Sequence, residues 1–238
     1  MSDPNKFLQH GQIFPIWFDN LVKLLGAGAG LGGVYVALII YFGFSPKATD
    51  AGYAPRQPVP YSHALHVGKL GLDCRYCHTG VETTAHAAVP PTQTCMNCHS
   101  MVGKESVALA PIFKSYASGL PVEWLRVHDL PDYSYFNHSA HVTRGVSCVE
   151  CHGRIDQMEV VEQAKPLSMG WCLECHRDPA PRLRPQSEIT NFDWGVDLSD
   201  GERREIGRAI MRKNGLLDAQ DNPTVRLKVM TSCSTCHR

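Results

Sequence analysis

The chain of 238 residues carries no formal net charge, because 23 basic side chains balance 23 acidic ones. Nucleic-acid binding needs a basic face, and the composition offers none. Long periodic apolar segments are also scarce. Beyond residue 44, Leu, Ile, Val and Phe come in short pieces rather than in sustained helical or strand patterns. With 20 Gly and 16 Pro breaking the chain, little remains from which to build an ordinary side-chain core. Nor does any cysteine stand alone, since all 10 belong to a repeated motif. Something other than side chains has to supply buried apolar area.

The motif is Cys-X-X-Cys-His, in five copies. They are Cys74/Cys77/His78, Cys95/Cys98/His99, Cys148/Cys151/His152, Cys172/Cys175/His176 and Cys233/Cys236/His237. This spacing lets two thiols add to the two vinyl groups of one porphyrin, and the following histidine supplies the proximal nitrogen to iron. Structural zinc and disulfide frameworks also use paired cysteines, but neither requires a histidine after every second one. The expected cofactor is therefore five haem c groups, each with its iron.

An iron that only transfers electrons needs a sixth ligand. Setting aside the five proximal residues, the 12 histidines leave His10, His63, His66, His86, His128, His138 and His141. Four of these form matched pairs, Tyr61-Ser62-His63-Ala64-Leu65-His66-Val67 before Cys74 and Phe136-Asn137-His138-Ser139-Ala140-His141-Val142 before Cys148. Chance placement of surface histidines would not repeat the aromatic, the spacing and the valine. At i and i+3 two imidazoles share a helix face yet can splay toward two irons. His63, His66, His138 and His141 are expected as distal ligands. For the fifth iron Met158 is the first candidate, followed by Met169, His86 and His128; a thioether ligand would raise that iron's potential.

The pairs mark an internal duplication. Units 61–100 and 136–177 each contain a histidine pair and two attachment motifs, and the fifth motif stands apart at 233–237. Between them, Ser199 to Lys213 has helical periodicity, with Ile206, Ile210 and Met211 on one side, an acidic start and a basic end. The expected fold is short α-helices and loops wrapped around five c-type haems, with one N-terminal transmembrane helix.

That helix is assigned to 24–44, a run without charge that is long enough to cross a hydrocarbon core of about 30 Å. It is longer than the apolar region of a secretory signal, so a retained anchor is expected. Trp17, Phe18, Tyr41 and Phe44 lie near its ends, as interfacial aromatics do. Residues 1–23 form a cytoplasmic or interfacial segment, 45–60 a linker and 61–238 the pentahaem domain. Lys6 and Lys23 precede the span while Lys47 and Arg56 follow it, so charge decides orientation poorly. Haem attachment outside the cytoplasm favours a single pass through a bacterial inner membrane, with the haem domain on the periplasmic face. Gly26, Gly28, Gly30, Gly32 and Gly33 slim one end of the span and suit close packing of a neighbouring subunit's helix.

Over His63 to Arg177 the histidine pairs and attachment motifs resemble the class III, or cytochrome c7-like, multihaem family. The resemblance implies that the first histidine of a pair serves the haem just after it, His63 for Cys74 and His138 for Cys148, while His66 and His141 cap other haems. The stretches Pro91-Thr92-Gln93-Thr94-Cys95-Met96-Asn97-Cys98-His99, Val127-His128-Asp129-Leu130-Pro131-Asp132-Tyr133 and Leu167-Ser168-Met169-Gly170-Trp171-Cys172 are similar to the pentahaem A subunits of bacterial alternative complex III. That likeness implies an electron-transfer subunit of a hetero-oligomeric membrane quinol oxidoreductase. Its implied partners are integral membrane quinol-oxidising subunits, an iron–sulfur subunit, and a monohaem cytochrome c or an oxidase. A stand-alone, membrane-anchored quinol dehydrogenase feeding a periplasmic reductase is the alternative. Catalysis at an open iron is disfavoured because spare ligands outnumber the irons, so no catalytic residue is assigned.

Overall fold

The computed structural model describes residues 14–44 and 50–237, in two compact units that divide after Thr49. His10, Lys6 and Lys47, with the expected interfacial and linker stretches at 1–13 and 45–49, lie outside the described residues.

In the first unit, helix α1 (Ile16–Ile39) starts after Pro15, runs on into a π-helical turn over Ile40–Phe44, and carries Asp19 in its first turn. Proline immediately before a helix costs no hydrogen bond, and an early carboxylate suits the helix dipole. The helix begins ahead of the uncharged run, so the candidate span extends over Trp17–Phe44, 28 residues that include an 18-residue window of mean hydropathy 1.9. At 1.5 Å per residue it reaches about 40 Å, more than a bilayer core requires. Its large apolar side chains, from Leu24 to Phe44, are exposed on all sides. A helix apolar all round and buried by nothing fits a single-pass membrane anchor.

The second unit is helical and irregular. Its elements are α2 (Cys74–Cys77), α3 (Thr92–His99), α4 (Ala110–Ser118), α5 (His138–Val142), α6 (Cys148–His152), α7 (Met169–Arg177), α8 (Asp200–Lys213), α9 (Val225–Val229) and α10 (Cys233–Cys236). No strand occurs among the described residues; isolated antiparallel bridges join Ser134 to His237, Val146 to Leu183 and Leu217 to Pro223. The short helices begin on polar caps. Asp73 accepts from the Arg75 N–H at 2.8 Å, Asn137 from Ala140 at 3.3 Å and Ser168 from Trp171 at 3.4 Å. Such caps satisfy amides that a helix of one or two turns would otherwise leave open. Gly119 and Gly153 end α4 and α6 at positive φ of 71° and 65°.

Side-chain packing is sparse. One buried cluster joins Ala180, Leu183, Met211 and Leu217; a second joins Val81, Val142 and Ile189. The expected polar helix is α8, which opens on a reciprocal box: Ser199 caps the Glu202 amide while the Glu202 carboxylate accepts from the Ser199 N–H at 2.8 Å. Its buried face carries Gly207 and Met211, and it crosses the turn at Ala180. A Cβ built on Gly207 would overlap the Ala180 carbonyl oxygen, so only glycine permits this crossing. Gly207→Ala should therefore destabilise the haem-loaded protein by about 1–3 kcal/mol or more, read from denaturant melting. Gly201→Ala, whose Cβ meets nothing nearer than Ser199 Oγ at 3.9 Å, should stay within roughly 0.5 kcal/mol. Equal losses at the two sites would contradict this packing.

Candidate haem centres

Each attachment motif lies on or at the end of a short helix, so its two cysteines, three residues apart, share one face of a single turn. None of the ten cysteines is joined in a disulfide. Burial raises those of Cys77, Cys95, Cys172 and Cys175, and takes Cys151 up to about 12. The Cys74 thiol is pushed up first by a hydrogen bond to Cys148 and then by burial. Thiols paired on one helical turn match the reactants of thioether formation.

The histidines are oriented by the backbone. The Nδ1 of His78 meets the Ala88 carbonyl at 2.7 Å, His99 that of Val102 at 3.0 Å, His176 that of Met230 at 2.9 Å and His237 that of Tyr133 at 3.1 Å. Among the paired histidines, His66 meets the Ser62 carbonyl at 2.8 Å, His138 that of Ala85 at 2.8 Å and His141 that of Asn137 at 2.7 Å. A carbonyl only accepts, so each ring carries its proton on Nδ1 and presents an unprotonated Nε2. That is the tautomer a metal takes, with its outer hydrogen bond already made. At three of the rings burial favours the neutral form: it lowers His141, takes His63 down to about 4 and His152 down to about 3. The buried Nδ1 of His63 lacks the carbonyl clamp that its counterparts have.

Three rings face three others at nearly one separation. Centroids are 6.2 Å apart for His66 and His99, 6.4 Å for His138 and His152, and 6.1 Å for His141 and His176. Two metal–nitrogen bonds of about 2 Å, with roughly 1 Å from each nitrogen to its ring centre, place the rings of a bis-histidine iron about 6 Å apart. Among the described residues no three His, Cys, Asp or Glu side chains converge as a zinc cage would need. Paired imidazoles next to paired thiols therefore fit haem c.

Both histidine pairs share a feature that the sequence displayed without explaining. Tyr61 stacks on His66, with centroids 4.4 Å apart and planes at 23°, and meets His63 edge-on at 4.8 Å and 85°. Phe136 repeats this on His141 at 4.6 Å and 27°, and on His138 at 4.8 Å and 85°. One aromatic thus fixes the splay of two imidazoles. The carbonyl partners Ala88, Val102, Met230, Tyr133 and Ala85 left no trace in the sequence, because any residue supplies a carbonyl.

The four candidates for the expected fifth distal ligand are scattered. The Met158 carbonyl accepts from Ala64 N–H at 3.0 Å, between the segments bearing His63 and His152. Met169 begins α7 and is two-thirds exposed, one turn before Cys172. His86 is exposed. His128 lies against His152, its Nε2 at 3.3 Å from the Nδ1 of that ring.

Helix α5 carries two of the paired rings on five residues, so its cap should matter out of proportion to its length. Asn137→Ala should lower stability by about 1 kcal/mol, and Asn137→Ser should recover most of it. A thermal melt in which both variants match the native protein would remove this role for the cap.

No protein family profile matches the chain. It is 33% identical over 214 residues, 90% of each sequence, to the multihaem cytochrome c subunit of menaquinone reductase from Nitratidesulfovibrio vulgaris strain Hildenborough. With that coverage added to the paired thiols and imidazoles, the chain belongs to the same family of multihaem c-type cytochromes.

Proposed function

We propose that the chain is the electron-transfer subunit of a membrane quinone oxidoreductase, holding five haem c groups. The observation that carries the reading is the set of three histidine ring pairs, each separated by 6.1 to 6.4 Å. Haem iron, when bound, supplies reversible one-electron chemistry whose potential depends on ligand and burial. In this assignment His78, His99, His152, His176 and His237 are proximal. His66 caps the iron of His99, His138 that of His152 and His141 that of His176, while His63 serves His78. Met169 takes the distal position of the C-terminal iron ahead of Met158, because it shares a helix face with Cys172, whose thiol senses Cys236.

The holding residues run as an unbroken series. The turn of His63 and His66 serves two motifs, as does α5; the Cys74 side chain lies beside Cys148; His138 reaches Ala85; and His176 reaches the carbonyl of Met230, close before Cys233. Such continuity suits a relay and leaves every iron saturated, with no catalytic group assigned. The N-terminal helix anchors the chain in a bacterial cytoplasmic membrane with the haem domain on the periplasmic side. The partners in this reading are integral membrane quinone-site subunits, an iron–sulfur subunit, and a monohaem cytochrome c, copper protein or oxidase as acceptor, as in alternative complex III. The relative's name describes quinone reduction, the opposite direction, so the partners' potentials set the sense of flow.

Purification from native membranes should yield a complex with an iron–sulfur subunit, and added quinol should reduce the haems in that complex but not in the isolated chain. Direct reduction of the isolated chain by quinol would favour a stand-alone dehydrogenase instead. A second expectation concerns His141→Ala. The reduced native chain should bind no carbon monoxide, whereas the variant should bind about one molecule per chain; a variant inert to carbon monoxide would remove His141 from the ligand set.

A further inference from the structure

Four of the five proximal histidines turn Nδ1 toward a backbone carbonyl, and the fifth does not. His152 turns it toward another imidazole: its Nδ1 lies 3.3 Å from His128 Nε2, with ring centroids 4.4 Å apart and planes at 78°. If Nε2 of His152 is to hold iron, its proton must sit on Nδ1, so His152 donates and His128 accepts. His128 is thereby fixed with its own proton on Nδ1. The same stretch, five residues on, supplies the Tyr133 carbonyl to Nδ1 of His237. A segment between the two repeats, unused by the reading so far, thus clamps the proximal ligands of the third and fifth motifs.

We propose that His128 is a positioning residue for the third haem, holding His152 by a side-chain hydrogen bond and tuning its donation to iron. The inference rests on His152 being a proximal ligand, as argued above. An imidazole nitrogen is a more basic acceptor than an amide carbonyl, so it draws the Nδ1 proton further and makes His152 a stronger donor. A stronger donor stabilises oxidised iron and lowers the potential of that haem relative to one clamped by a carbonyl. Of the clamps on proximal histidines, this one can be altered by substitution without touching the backbone.

The test is a potentiometric titration of the full chain carrying His128→Phe, which removes the acceptor, beside His128→Asn, which restores a carbonyl acceptor. Intact mass is checked first, so that loss of a haem is distinguished from loss of the clamp. The expected result is five retained haems, one midpoint potential raised in His128→Phe and partly returned in His128→Asn, and the others unmoved. Unchanged potentials in His128→Phe would overturn the proposal. So would a new high-spin, carbon-monoxide-binding iron, which would make His128 itself a ligand. If His128→Phe loses a haem, the native protein decides, using 15N-histidine NMR of the reduced, diamagnetic state. One proximal Nδ1–H should show nitrogen–nitrogen coupling to a second imidazole, and absence of that coupling overturns the assignment.

Discussion

The arrangement depends on where the imidazole protons sit. A histidine free in solution divides its proton between two nitrogens, and only the form with a bare Nε2 can bind iron from that edge. Here the choice is made by backbone carbonyls, from Ser62 at one end of the domain to Met230 at the other. Several of these bonds are long in sequence: His176 to Met230, His138 to Ala85 and His237 to Tyr133. The bonds that select the tautomer therefore also tie distant parts of the chain together. In a domain with no strand among its described residues, they do part of the work that a sheet ladder does elsewhere.

The rest of the packing is consistent with a domain whose main core is not made of side chains. Most of its buried apolar residues fall into two small clusters, and much of the remaining apolar surface, including Val102, Leu120 and Val225, is open. Domains with so little side-chain core are held by covalent or metal staples. The attachment helices are correspondingly short, because a single turn is enough to present two thiols and an imidazole. Only α8 is long. It is the element with least to do with haem, and it carries its own capping box, ion pairs such as Arg203–Asp200, and the Gly207 crossing.

Much of this was legible in the sequence because the chemistry is local. Cys-X-X-Cys-His and His-X-X-His are short motifs whose meaning does not depend on the fold, and α8 announced itself through its apolar stripe, acidic start and basic end. The start of α1 was not legible, since Asp19 and Lys23 break the uncharged run without breaking the helix. Non-local pairing was also hidden: nothing in the spacing says that His66 faces His99, or that Tyr133 lends its carbonyl to His237. Tyr61 and Phe136 form an intermediate case. Their repetition could be read, but their role required seeing two rings held at the same two angles. His128 looked like a spare ligand, and its geometry against His152 gives it a different place.

The central claim is that five porphyrins are bonded through all ten cysteines and ligated from within the same chain. Intact mass spectrometry under denaturing conditions, paired with metal analysis, tests it most directly. The account requires a mass equal to the polypeptide plus five haems, no thiol open to alkylation, and iron as the metal. A smaller increment, alkylatable cysteines or a preparation rich in zinc would contradict it.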